Sequence, residues 1–149
     1  MTLIKTFDNF IINFSSKYSL EVLRISLGVI FLWFGFLKFF PGLSSAEALA
    51  GDTIHTLTLG VLSPSQALLI LAVWESLIGI GFLTKKYLKQ TIYLMLFQMM
   101  GTFTPLALFP SLTWHYFPIS ATLEGQYIIK NIVLISGGLV LLSHTKNKE

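Results

Sequence analysis

The stretch LEVLRISLGVIFLWFGFLKFF, Leu20 to Phe40, decides how the rest of the chain is read. Apart from Glu21, Arg24 and Lys38 it is almost wholly apolar. A helix needs about 20 mainly apolar residues to cross the hydrocarbon core of a bilayer, and this segment is long enough. Arg24, Gly28, Phe31, Gly35 and Lys38 are spaced four, three, four and three apart. On a helix they form one stripe. Its glycines allow a second helix to approach closely, and its charges call for protein rather than lipid as their surroundings.

Three further stretches resemble it: Gln66–Leu83, Ile92–Phe109 and Tyr127–Ser143. The first and last of these are short for a span, so their helices are expected to begin in the preceding loops. SPSQ at Ser63–Gln66 supplies a start, with Ser63 as N-cap, Pro64 at the first helical position and Gln66 closing a capping box. Thr122 can cap the last helix, with Glu124 near its positive end. Composition agrees with this reading. Of 149 residues, 54% are hydrophobic and only 11% charged, against roughly 25% charged in an average soluble domain. The expectation is an all-α integral membrane protein, residues 1–149 forming one domain built as a four-helix bundle.

Basic residues set the orientation. Lys5 and Lys17 precede the first span and Arg24 lies in its first turns. Lys85, Lys86 and Lys89 fill the turn between spans two and three, and Lys146 and Lys148 follow span four. The loops of residues 41–65 and 110–126 contain no Lys or Arg. Both termini are therefore expected on the cytoplasmic side of a bacterial inner membrane. Leu3, Phe7, Phe10 and Phe14 sit at helical spacing among polar residues, which predicts a short amphipathic helix on the inner surface. SSAE at residues 44–47 predicts a second short helix in the first outer loop, capped by Ser44 and Glu47.

The polar residues inside the spans also form stripes. Tyr127, Lys130, Asn131, Leu134, Gly137 and Gly138 share one side of span four, opposite Ile128, Ile132, Leu139 and Val140. Glu75 clusters with Ala72 and Gly79 in span two, and Gln98 with Gly101, Thr102 and Pro105 in span three, where Pro105 should kink the helix. Depth counted at 1.5 Å per residue predicts two clusters. The deep one is Arg24, Glu75 and Gln98. The outer one is Lys38, Glu124, Tyr127, Lys130 and Asn131, a candidate ligand pocket for a small anion or a carbonyl-bearing head group.

The segments RISLGVIFLWFGFLKFFPG, WESLIGIGFL, GTFTPLALFP and LEGQYIIKNIVLISGGLV, in that order, resemble the DoxX-like membrane protein family. The resemblance covers about residues 20–142 and is nearest to the branch of the YkgB/RclC type. It implies a four-helix inner-membrane protein linked to thiosulfate:quinone oxidoreduction, oxidative-stress complexes or chlorine-stress resistance. It supplies no catalytic residues.

Each polar pair also has a purely structural reading. Arg24 and Glu75 can relay protons or simply fix helix register as an ion pair. Lys38 and Lys130 can line a pocket, or snorkel to the interface and pair with Glu124. His55 and His115 lie in loops without a third ligand at useful spacing, so no metal site is expected. The chain has no cysteine, which removes thiol chemistry, and no autonomous catalytic motif is readable. A net charge of +3, spread along the chain, gives no nucleic-acid footprint. Three function classes remain: a membrane subunit or accessory of a quinone-linked redox or oxidative-stress system, a small carrier or channel for protons or small anions, and a non-catalytic scaffold or lipid-binding protein. A bound quinone, redox partner proteins and a homo-oligomer are all compatible with the first.

Overall fold

A computed structural model describes residues 2–44 and 46–145. Its helices are α1 (Thr2–Leu37), α2 (Glu47–Leu57), α3 (Pro64–Thr84), α4 (Leu88–Phe103), α5 (Pro105–Leu108), α6 (Pro110–Thr113) and α7 (Leu123–Thr145). A two-stranded antiparallel hairpin, β1 (Trp114–Tyr116) and β2 (Ser120–Ala121), joins α6 to α7. Among the described residues four helical segments are long and apolar enough to cross a membrane: α1, α3, α4 with α5, and α7. The chain is thus an all-α membrane bundle.

The predicted starts of α3 and α7 are present. The Ser63 side chain accepts from the Gln66 backbone N–H, while the Gln66 side chain accepts from the Ser63 N–H. Thr122 Oγ1 accepts from the Gly125 N–H at 3.2 Å and donates to Leu112 O at 2.7 Å, so the cap also ties α7 to the segment before it. At Pro105, which has no N–H to donate, α4 stops and α5 begins.

Two expectations need correction. The N-terminal amphipathic segment is not a separate helix. It continues into the first span as one helix of 36 residues, about 54 Å long. No Gly or Pro lies between Phe14 and Leu20 to interrupt it, and Ser16 spends its hydroxyl on Asn13 O inside the helix. The start of α2 also differs. Its N-cap is Ala46, in the left-handed region with φ 55°, and makes no side-chain cap hydrogen bond. The Glu47 carboxylate accepts instead from the Gly42 N–H at 2.9 Å, which closes the loop after α1. Lys146 and Lys148 lie outside the described residues.

The closest packing is between α1 and α3, which run antiparallel. A Cβ on Gly79 would lie 2.4 Å from Leu32 N, and one on Gly35 would lie 2.7 Å from Ser76 N. With Gly28 against Leu83, these contacts fix the register: residue 28 faces 83, 32 faces 79 and 35 faces 76. Small residues let the two backbones meet. Leu27, Phe31, Ile78, Phe82, Ile92, Met95, Met99 and Leu141 fill the space among the spans. Large aliphatic and aromatic side chains such as Trp33, Leu77, Val133 and Leu139 point outward, as a lipid-facing surface requires.

Candidate functional site

A cavity of about 720 Å³ opens among α1, α2, α3, α4 and α7. Its walls are mostly apolar: Ile30, Phe31 and Phe34 from α1, Leu49 and Ile54 from α2, Ile70, Leu71 and Trp74 from α3, and Phe97 and Met99 from α4. Such a volume lies within the range of small-molecule sites, which pair an apolar lining with a few fixed polar groups.

Three of those polar groups act together. Lys38 Nζ lies 2.6 Å from Glu75 Oε2, and Gln98 Nε2 donates to Glu75 Oε1 at 2.8 Å. Both carboxylate oxygens are therefore occupied. Lys38 follows the last residue of α1, and its ammonium also reaches Phe34 O at 3.3 Å, where the helix dipole favours a cation. The Lys38 and Glu75 side chains are only 9% and 11% exposed. The triad is electrically neutral. Gln98 Oε1 is buried and has no donor among the described residues. Of the three ammonium hydrogens of Lys38, Glu75 and Phe34 take two, which leaves one donor.

Arg24 does not belong to this cluster, contrary to the sequence expectation. Its guanidinium donates to Phe82 O and, at 3.1 Å, to Leu83 O, and it holds Glu21 through Nε and Nη2 at 3.0 and 2.6 Å. Lys85 pairs with the other oxygen of Glu21. Arg24 thus satisfies the last carbonyls of α3, which have no partner within their own helix. The α1–α3 register explains the exchange. Glu75 stands level with Phe36, near Lys38, while Arg24 lies about 18 Å further along the helix axis. Depth counted separately in each span cannot supply that offset.

The outer cluster is partly assembled. Lys38, Glu124, Tyr127 and Asn131 all border the cavity. Lys130 does not. It is exposed, and its ammonium stands 5.6 Å from the centre of the Tyr127 ring, a cation–π arrangement. The inward line of α7 runs through Gly125, Ile128, Asn131, Gly138 and Leu141. Lys130 is rotated 100° from Asn131 on the helix, which carries it out of the cavity. Ile128, expected on the lipid side, is buried for the same reason. Among the described residues Glu124 makes no ion pair, so it does not bridge the two lysines.

Other walls of the cavity escaped sequence reasoning. Thr53 of α2 and Thr58 at its C-terminal cap line it, as does Trp74, which stacks on Phe97 with ring centres 5.9 Å apart and donates to Leu94 O. For the two threonines the only signal is the apolar side of α2. His55 lies not in a loop but in the last turn of α2, where its imidazole contacts Leu62 O of the following segment, and His115 is exposed on β1. Among the described residues no three His, Cys, Asp or Glu side chains are grouped to hold a metal ion.

Comparison with known proteins finds no matching family model, no matching curated protein and no matching solved structure.

Proposed function

We propose that this protein is a membrane subunit or accessory of a quinone-linked redox or oxidative-stress system, and that its cavity binds a neutral, carbonyl- or hydroxyl-bearing head group such as a quinone. The single observation that carries the reading is the Lys38–Glu75–Gln98 triad set in an otherwise apolar cavity of about 720 Å³. A small anion fits less well. Lys38 is already neutralised by Glu75, and the second cation of the expected pocket, Lys130, lies outside it. The DoxX-like resemblance of the four spans supplies the redox context. Electrons would come from partner proteins, since the chain has no cysteine and no group of metal-ligating side chains among the described residues.

The Lys/Arg asymmetry supports an inner-membrane orientation with both termini cytoplasmic and the cavity nearer the outer face. Gentle detergent purification followed by mass spectrometry of the extract tests the assignment. A prenylquinone is expected with the wild-type protein and absent from a folded K38M/E75M variant. Phospholipid alone, in equal amounts from both proteins, would sink it.

A carrier of protons is the second reading, favoured by a carboxylate held at 11% exposure within a span. Liposomes carrying the protein and a pH-sensitive dye separate the two, because a ligand-binding subunit leaves the proton permeability unchanged.

A further inference from the structure

A second hollow adjoins the cavity. On the lipid-facing side of α3 lies a shallow groove of about 320 Å³, lined by Leu69, Ile70, Val73, Trp74 and Leu77. Every one of these side chains is apolar. Ile70 and Trp74 border the cavity as well as the groove. They are one turn apart, so together they form the sill that separates the two. Trp74 is fixed there by its stacking on Phe97 and its hydrogen bond to Leu94 O. Leu69, Val73 and Leu77 are 55%, 45% and 56% exposed, so none of the described residues covers the groove.

We infer that the cavity's ligand is a long-chain quinone that enters sideways from the bilayer across the Ile70–Trp74 sill, its head against Lys38, Glu75 and Gln98 and its chain along Leu69, Val73 and Leu77. This rests on the reading of the cavity as a site for a neutral head group. The chain contributes little driving force, because a lipid tail and a leucine-lined groove are equally apolar. The groove matters as a route. It lets the chain stay in hydrocarbon while only the head exchanges lipid for the polar triad. A phospholipid fits this arrangement poorly, since its phosphate would meet a cation already paired with a carboxylate.

The test uses the full chain in phosphatidylcholine nanodiscs with a benzoquinone whose alkyl chain carries a diazirine. After photolysis, saturable label is expected on the segment of residues 69–77, and excess tail-free dimethoxy-benzoquinone should compete it away. A folded K38M/E75M variant should lose the saturable label by about tenfold or more, the scale of one lost polar anchor. Val73→Phe, which fills the groove from its exposed side, should redirect the label while leaving competition by the tail-free quinone at the cavity intact, read as quenching of tryptophan fluorescence. Label scattered evenly over all lipid-facing helices, with tail-free quinone still quenching, overturns lateral entry and leaves the head-group reading standing. Label on 69–77 that survives K38M/E75M marks an ordinary lipid position and also overturns the inference. No saturable label and no quenching in the wild-type protein removes the head-group reading itself.

Discussion

The ammonium of Lys38 meets the carboxylate of Glu75 at 2.6 Å, across the antiparallel seam of α1 and α3 and almost out of contact with solvent. Removing one partner strands the other in a low-dielectric wall. Lys38→Met or Glu75→Gln is expected to cost about 3 kcal/mol of stability, the scale for breaking a buried pair. Exchanging both for apolar residues should recover much of that loss, because the desolvation cost disappears along with the attraction. Unfolding of the four proteins in detergent checks the cycle, and two silent single variants would mean that the pair is not made.

Arg24 makes a different prediction. It satisfies the carbonyls of Phe82 and Leu83 at the end of α3 and is anchored by Glu21. Arg24→Met should therefore lower stability by about 2 kcal/mol, as expected when buried carbonyls lose their donor. Quinone binding, measured where the variant is folded, should not change, since Arg24 does not border the cavity. Lost binding in a fully folded variant would be incompatible with this placement.

Two glycines offer an internal control on the helix seam. A Cβ at Gly79 would meet the backbone of Leu32, whereas one at Gly101 would meet nothing within 4 Å. Gly79→Ala should force α1 and α3 apart at a cost of about 2–3 kcal/mol. Gly101→Ala should be neutral or stabilising by up to about 1 kcal/mol through helix propensity. Thermal unfolding of both variants decides, and equal midpoints would contradict the described register.

The spans are legible because hydrophobic length and helix caps are local properties. Ser63, Pro64 and Gln66 announce the start of α3 without reference to any other helix, and Pro105 announces the break after α4. Glu75 and Gln98 are recognisable as partners because both lie deep in adjacent spans joined by a short turn. What a single sequence lacks is register between helices. The contacts of Gly35 with Ser76 and Gly79 with Leu32 slide α1 along α3 until Lys38, not Arg24, meets Glu75. Rotation is equally hidden. Lys130 and Asn131 are neighbours in sequence, yet only Asn131 borders the cavity.

The two ends of the bundle should label from opposite sides of the membrane. With no native cysteine, single cysteines report without background. Ile119, 91% exposed at the hairpin, and Lys86, exposed in the turn between α3 and α4, are suitable sites. In intact cells an impermeant maleimide should modify Ile119→Cys at once, and Lys86→Cys only after permeabilisation. Simultaneous labelling of both in intact cells would rule out the orientation given by the basic residues.

Lys130 provides the sharpest contrast with Lys38. Both are lysines near the same end of the bundle, and a pocket for an anion would need both. The Lys38 side chain is mostly shielded and paired, while Lys130 is exposed and rests over the Tyr127 ring. A neutral head group needs only the first. Lys130→Met should therefore leave quinone binding within about twofold of wild type and change stability by less than about 1 kcal/mol, the value of an exposed cation–π contact. K38M in the K38M/E75M background, where no charge is stranded, should abolish binding while the protein stays folded. Tryptophan quenching by a dimethoxy-benzoquinone measures both. If Lys130→Met instead removes binding and the double variant keeps it, the ligand is held at the outer rim by Lys130, and the triad is a structural bolt between α1, α3 and α4.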